Sequence, residues 1–189
     1  MALSPKSAKE INSERVAFPD CKIYEKENGY QQTFINNSAK DVVLSCMGVN
    51  LFPSVTMAQM CLESLYGTKH IGQANNYFGF KGNGNPNEFW DGRVITKDTI
   101  ENYSGTDTTI KDKFRVYDSQ LMSLLDRNRL LQTKNYAKVT TANTPNQQAQ
   151  FIKDCGYATD PDYPKKLVWI IKHFGLEKLD EIKSKIKHV

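Results

Sequence analysis

The stretch Pro53-Ser54-Val55-Thr56-Met57-Ala58-Gln59-Met60-Cys61-Leu62-Glu63-Ser64-Leu65-Tyr66-Gly67 decides the fold. Val55, Ala58, Cys61, Leu62 and Leu65 recur at three- and four-residue steps, the period of a helix that buries one stripe. Ser54 is placed to cap its start, and Gly67 supplies the residue that ends it near Tyr66. Glu63 lies off the stripe, on the side of Gln59, in the last turn, where the helix dipole puts partial negative charge. That field disfavours ionisation, and burial would act in the same direction. A carboxyl kept protonated near neutral pH is what a departing oxygen needs from a general acid. The same position also suits a solvated glutamate at a helix end, so position alone leaves two readings open.

Outward from this helix the pattern stays helical on both sides of a β insertion. Upstream, Phe34, Ala39, Val42, Val43 and Cys46 predict a helix from Thr33 that Gly48 stops. Downstream, residues 72–87 mix glycines with asparagines and aromatics, which predicts a structured loop. No Gly-Lys-Ser/Thr follows Gly79, Gly82 or Gly84, so this is no phosphate loop. Val94-Ile95, Thr99 to Tyr103, a Ser104-Gly105 turn, Thr106 to Ile110 and Phe114 to Tyr117 predict a two- or three-stranded antiparallel ribbon. Leu121, Leu124, Leu125 and Leu131 fit the next helix. Thr144-Pro145 starts another that stops at Gly156, and Pro161 opens one that runs through Phe174 to Gly175. A last amphipathic segment covers residues 176–186. The fold class is therefore α+β: a mainly helical domain, residues 33–189, with a small antiparallel β-lobe that forms a cleft against it. Residues 1–32 are polar and irregular and read as an N-terminal extension.

Composition narrows the partners. Among 189 residues, 39% are hydrophobic and 24% charged, the profile of a globular domain. No apolar run approaches the roughly 20 residues of a membrane helix, and no signal peptide is visible at the amino terminus. The net charge of +4 favours polyanionic partners. The lysines are dispersed and no arginine-rich stripe exists, which argues against nucleic acid. Cys21, Cys46, Cys61 and Cys155 show no Cys-x-x-Cys, and a core of this size does not need disulfides. His70, His173 and His188 show no zinc-ligand spacing, so neither a metal nor another cofactor is expected.

The residues 52–67, taken with Ala74-Asn75-Asn76-Tyr77-Phe78-Gly79-Phe80-Lys81-Gly82, Phe114-Arg115-Val116-Tyr117-Asp118-Ser119 and Gly156-Tyr157-Ala158-Thr159-Asp160-Pro161-Asp162-Tyr163, resemble the family 73 glucosaminidases. The shared run is Pro-Ser-x-Thr-x-Ala-Gln, then Leu-Glu-Ser, an aromatic residue and Gly; the likeness spans residues 33–180. The resemblance implies a lysozyme-like fold and hydrolysis of the β-1,4 bond after N-acetylglucosamine in peptidoglycan glycan strands. It also implies that Glu63 is the catalytic acid. Glu101, in Thr99-Ile100-Glu101-Asn102-Tyr103-Ser104-Gly105, matches a second acidic position on the β-lobe, with Glu88, Asp91, Asp98 and Asp107 as rival carboxylates. Tyr157 matches a tyrosine that lines the family's site; by its residues alone it is equally a packing tyrosine.

Tyr66, Asn76, Tyr77 and Phe80 are the expected sugar contacts, because pyranose faces stack on rings and amides bond N-acetyl groups. Tyr163 is expected to pack beneath its helix. Departures are Tyr66, where tryptophan is common, Leu65 in place of a small residue, and residues 83–98, which have no clear counterpart. Either Glu101 activates water across the ring, or the substrate's 2-acetamido oxygen attacks the anomeric carbon with Tyr157 or Glu101 orienting it. Lytic transglycosylation, muramidase action and an inactive wall-binding module are the competing readings. The expected place of action is the periplasm or cell wall, as a monomer released by phage, exported as an effector, or trimmed from an autolysin. An effector would also meet an immunity or inhibitor protein.

Overall fold

The computed structural model describes residues 18–69, 74–103 and 106–186, with the backbone alone for those of residues 100–107 it includes. The Ser104-Gly105 turn, His70 and His188 lie outside the described residues. The elements run α1 (Tyr30–Ser45), α2 (Pro53–Ser64), β1 (Val94–Tyr103), β2 (Thr106–Arg115), α3 (Gln120–Leu131), a 3-10 helix (Lys134–Thr141), α4 (Pro145–Asp154), α5 (Tyr163–Phe174) and α6 (Glu177–Lys185).

Helix α2 is the centre of the helical domain, packed by α1, α4, α5 and α6. Pro53 through Cys61 are all buried, so the helix is enclosed on every side instead of burying the single stripe that its spacing predicts. Its start also differs from expectation. Phe52 occupies the cap position and Pro53 the first turn; Ser54 makes no cap and instead donates to Asp180 on α6, its N–H to Oδ1 at 2.8 Å and its hydroxyl to Oδ2 at 2.6 Å. A carboxylate at a helix N-terminus serves the cap's purpose by meeting its unsatisfied N–H groups and dipole. At the other end, Leu65 and Tyr66 both take left-handed backbone angles, φ 46° and 54°, before Gly67. A Cβ on Gly67 would come within 2.7 Å of the Phe34 ring, so the close approach of α1 requires glycine there.

The predicted ribbon is a two-stranded antiparallel hairpin of ten-residue arms, with Val94 opposite Arg115 and Glu101 opposite Thr108. Its base is fastened to the aromatic loop: Gly82 N–H bonds Lys113 O at 2.6 Å and Arg115 N–H bonds Phe80 O at 3.0 Å. Beneath it, α3 starts at an N-cap from Ser119, whose hydroxyl accepts from Met122 N–H at 3.3 Å. A small second core of Leu44, Phe89, Trp90, Tyr117, Leu121, Met122 and Leu125 joins ribbon base to α3. Thr144 caps α4 and Gly175, at φ 61°, ends α5, both where the sequence places them.

Part of the stretch grouped with the N-terminal extension packs onto the helices. Cys21 and Ile23 are buried, and the Tyr24 hydroxyl donates to Phe174 O at 2.7 Å. The four cysteines are free thiols. No described helix is long and apolar enough to cross a membrane.

Candidate active site

A groove of about 600 Å³ opens between the helical domain and the loop at the ribbon base. Phe78, Gly79, Phe80 and Lys81 form one wall, residues 157–160 the other, and Glu63 lies between them. Glu63 is the penultimate residue of α2, exposed along the groove. Protein nonetheless surrounds its carboxyl closely enough that desolvation pushes its pKa up, against a smaller lowering by the Tyr163 hydroxyl. That hydroxyl donates to Glu63 Oε1 at 2.6 Å.

Asp160 shares the groove but is tuned the opposite way. Lys166 Nζ holds its Oδ2 at 2.6 Å and the Asp162 N–H donates to Oδ1 at 2.9 Å, which together lower its pKa. One carboxyl with a raised pKa in the same groove as one with a lowered pKa is the pattern that separates a proton donor from an electrostatic partner.

Tyr157 lines the groove with its ring 6.0 Å from that of Tyr163 and 6.4 Å from that of Tyr136. Burial, then the charge of Glu63, raises its pKa, so the phenol keeps its proton. Its hydroxyl takes no hydrogen bond among the described residues, which leaves it available to a ligand.

Of the expected sugar contacts, only Phe80 lines the groove. Tyr66 is carried away by the left-handed turn at the end of α2 and packs its ring against Phe174 at 5.5 Å and Tyr30 at 6.4 Å. Asn76 is buried and spent on the fold: its Nδ2 donates to Phe80 O at 2.9 Å and Arg115 O at 3.0 Å, and its Oδ1 accepts from Phe80 N–H at 3.0 Å. These bonds fix the backbone of Phe80. Tyr77 sets its ring 6.1 Å from Phe34 on the core side. Residue type alone suggested these three; the direction each takes depends on loop geometry. Glu101 lies on β1 and its side chain is outside the described residues.

Sequence reasoning missed Tyr163. It is buried as expected, but its hydroxyl reaches the acid. Its place at the first residue of α5, set by Asp162 and Pro164, aims the ring at α2. The available signal was the pair of tyrosines flanking Ala158 to Asp162.

Residues 39–176 match the family model described as Glucosaminidase: Mannosyl-glycoprotein endo-beta-N-acetylglucosaminidase. The chain is 33% identical over 166 residues to exo-glucosaminidase LytG of Bacillus subtilis, covering 84% of this chain and 57% of that protein. It is 44% identical over 123 residues to peptidoglycan hydrolase FlgJ of Escherichia coli K12, covering 61% of this chain and 38% of that one. The chain thus spans roughly half the length of these relatives or less. Among solved structures, the catalytic domain of the autolysin Auto from Listeria monocytogenes superposes with a TM-score of 0.71 at 28% identity, covering 95% of this chain and 99% of that domain.

Proposed function

The chain belongs to the glucosaminidase family, and from that premise we propose that it is a peptidoglycan hydrolase, an endo-β-N-acetylglucosaminidase with Glu63 as general acid. The observation that carries this reading is a carboxyl in a groove, its pKa raised by desolvation, facing a tyrosine hydroxyl with no protein partner among the described residues. Glu63 gives its proton to the glycosidic oxygen as the C1–O bond breaks. The substrate's 2-acetamido oxygen closes onto C1, held there by the Tyr157 hydroxyl. Water then adds to C1, its proton returns to the Glu63 carboxylate, and the acetamido group is released. Phe80 offers a ring to a pyranose face.

The ribbon supports giving this orienting role to Tyr157 over Glu101. Phe114, bridged to the groove residue Lys81, pairs with Ile95. Glu101 stands six residues further along β1, about 20 Å in an extended strand. A base acting on water stands about 6.5–9.5 Å from the acid; Tyr157 lines the same groove as Glu63, which favours it for the orienting role.

The same reading has the protein act on the cell wall as a monomer. The net charge of +4 aids approach to an anionic envelope. The test is digestion of purified peptidoglycan, with fragments read by mass spectrometry and the first-formed anomer by NMR. Expected are glycans ending in a reducing N-acetylglucosamine of retained configuration. A reducing muramic end or an anhydro end, one water lighter, overturns the glucosaminidase reading, and an inverted anomer overturns the acetamido step.

A further inference from the structure

Arg127 is among the largest fully buried side chains of the described residues, and no carboxylate pairs with it there. Its guanidinium bonds only neutral groups: Nη1 donates to Thr56 Oγ1 at 2.9 Å and Asn128 Oδ1 at 2.7 Å, and Nη2 donates to Gln59 Oε1. Burying such a charge is costly, and nothing described so far uses it.

The contacts continue in one direction. Gln59 Nε2 donates to the Tyr163 hydroxyl oxygen at 2.9 Å, and that hydroxyl donates to Glu63 Oε1 at 2.6 Å. Arginine has donors and no acceptor. Its bond therefore fixes the carbonyl end of the Gln59 amide toward α3 and the NH2 end toward Tyr163. With that NH2 occupying its lone pair, the Tyr163 proton is left for Glu63. Oε1 is then an acceptor, and the acid's own proton sits on the other oxygen.

We propose that Arg127 is a positioning residue that sets the direction of the wire Arg127–Gln59–Tyr163–Glu63 and so places the catalytic proton on Glu63 Oε2. This rests on Glu63 being the acid. The wire explains why Thr56 and Gln59 interrupt the otherwise apolar residues 55–62 of the helix: one braces the guanidinium and the other transmits its direction.

The test is the alkaline limb of the kcat/KM profile on soluble peptidoglycan fragments. Other charged groups at the groove are Asp160 and Lys166, paired with each other, and Lys81, paired with Asp112 at 2.8 Å. Tyr136 and Tyr157 have raised pKa values and stay neutral. The limb therefore reports Glu63. Gln59→Glu keeps the shape but can only accept, so Tyr163 must turn its proton to residue 59 and Glu63 loses its donor. Expected is a limb about one pH unit higher and a kcat lower by about tenfold or more. Tyr163→Phe should move the limb the same way, with no further movement when Gln59→Glu is added. Arg127→Met should reproduce the shift and Arg127→Lys should restore the limb toward the parent.

A limb unmoved in these variants, when they fold, overturns the proposal, and so does a limb that Gln59→Glu moves further in the Tyr163→Phe background, because that is the through-space effect of the added charge. Neutron diffraction on the parent below the Glu63 pKa gives a second reading that needs no variant. Deuterium on Glu63 Oε2, with the Tyr163 deuteron toward Oε1, supports the wire; deuterium on Oε1, or a Tyr163 deuteron toward Gln59, overturns it. Activity retained in Glu63→Gln would instead remove the acid assignment, whatever the direction of the wire.

Discussion

Replacing Asp126 by Asn should loosen one wall of the groove without touching the acid. Asp126 on α3 is buried, and four donors converge on it. Oδ1 accepts from Asn87 Nδ2 at 3.0 Å and Arg129 Nε at 3.1 Å; Oδ2 accepts from Arg115 Nη1 at 2.5 Å and the Tyr117 hydroxyl at 2.7 Å. An asparagine offers one acceptor oxygen to the same four donors and turns an amide N–H₂ toward the rest. The Arg129 pair matters little, because its arginine is 41% exposed, whereas Arg115 is only 15% exposed and loses its counter-charge. Breaking a buried pair from one side costs about 3–5 kcal/mol. For a domain of this size that is a fall in Tm of roughly 10 °C.

Arg115 also holds the groove wall, through its N–H to Phe80 O at 3.0 Å and its Nε to Lys81 O at 3.1 Å. The variant should therefore raise KM several-fold while kcat, set by Glu63 on α2, changes less. Thermal melting with steady-state kinetics on soluble peptidoglycan fragments reads both. A variant melting within about 2 °C of the parent, with KM unchanged, refutes the argument that this network seats the ribbon.

Tyr157→Phe removes the groove hydroxyl that makes no bond within the protein among the described residues, so kcat should fall by about 10²-fold or more with Tm nearly unchanged; a larger effect on Tm than on kcat would mark it as a packing residue. Asp180→Asn weakens the carboxylate that meets Ser54 at the start of α2 and should cost about 1–2 kcal/mol in denaturant unfolding; no loss would mean that the helix start needs no partner. Because desolvation raises the Glu63 pKa and the protonated form is active, kcat/KM should be level below that raised pKa and fall as pH climbs through it. An activity that rises through the same range would assign Glu63 the role of base.

The helical frame was legible because its ends are chemically marked. Thr144-Pro145, Gly156 and Gly175 start and stop helices by local backbone chemistry, which needs no knowledge of the rest of the chain. The 3-10 helix Lys134–Thr141 was not legible, since Val139 is its one buried residue and leaves no periodicity. The partner of Ser54 was hidden for another reason: Asp180 is 126 residues away, and only the packing of α6 on α2 brings it there.

The site divides along the same line. Glu63, Tyr157 and Phe80 meet in one groove as the sequence reading expected, because helix ends and the loop after Gly79 present them. Residue type alone points Tyr66, Asn76 and Tyr77 toward sugar, whereas in the fold Tyr66 and Tyr77 pack on other rings and Asn76 fastens the loop. Tyr163 is a core residue by pattern and by burial; its hydroxyl alone reaches the site.

The central claim is that Glu63 delivers a proton. Turnover of purified peptidoglycan by Glu63→Gln, at matched Tm, tests it most directly, because glutamine keeps the shape and still accepts from Tyr163 but has no acidic proton to give. A loss of about 10³-fold is expected; turnover within tenfold of the parent would contradict it.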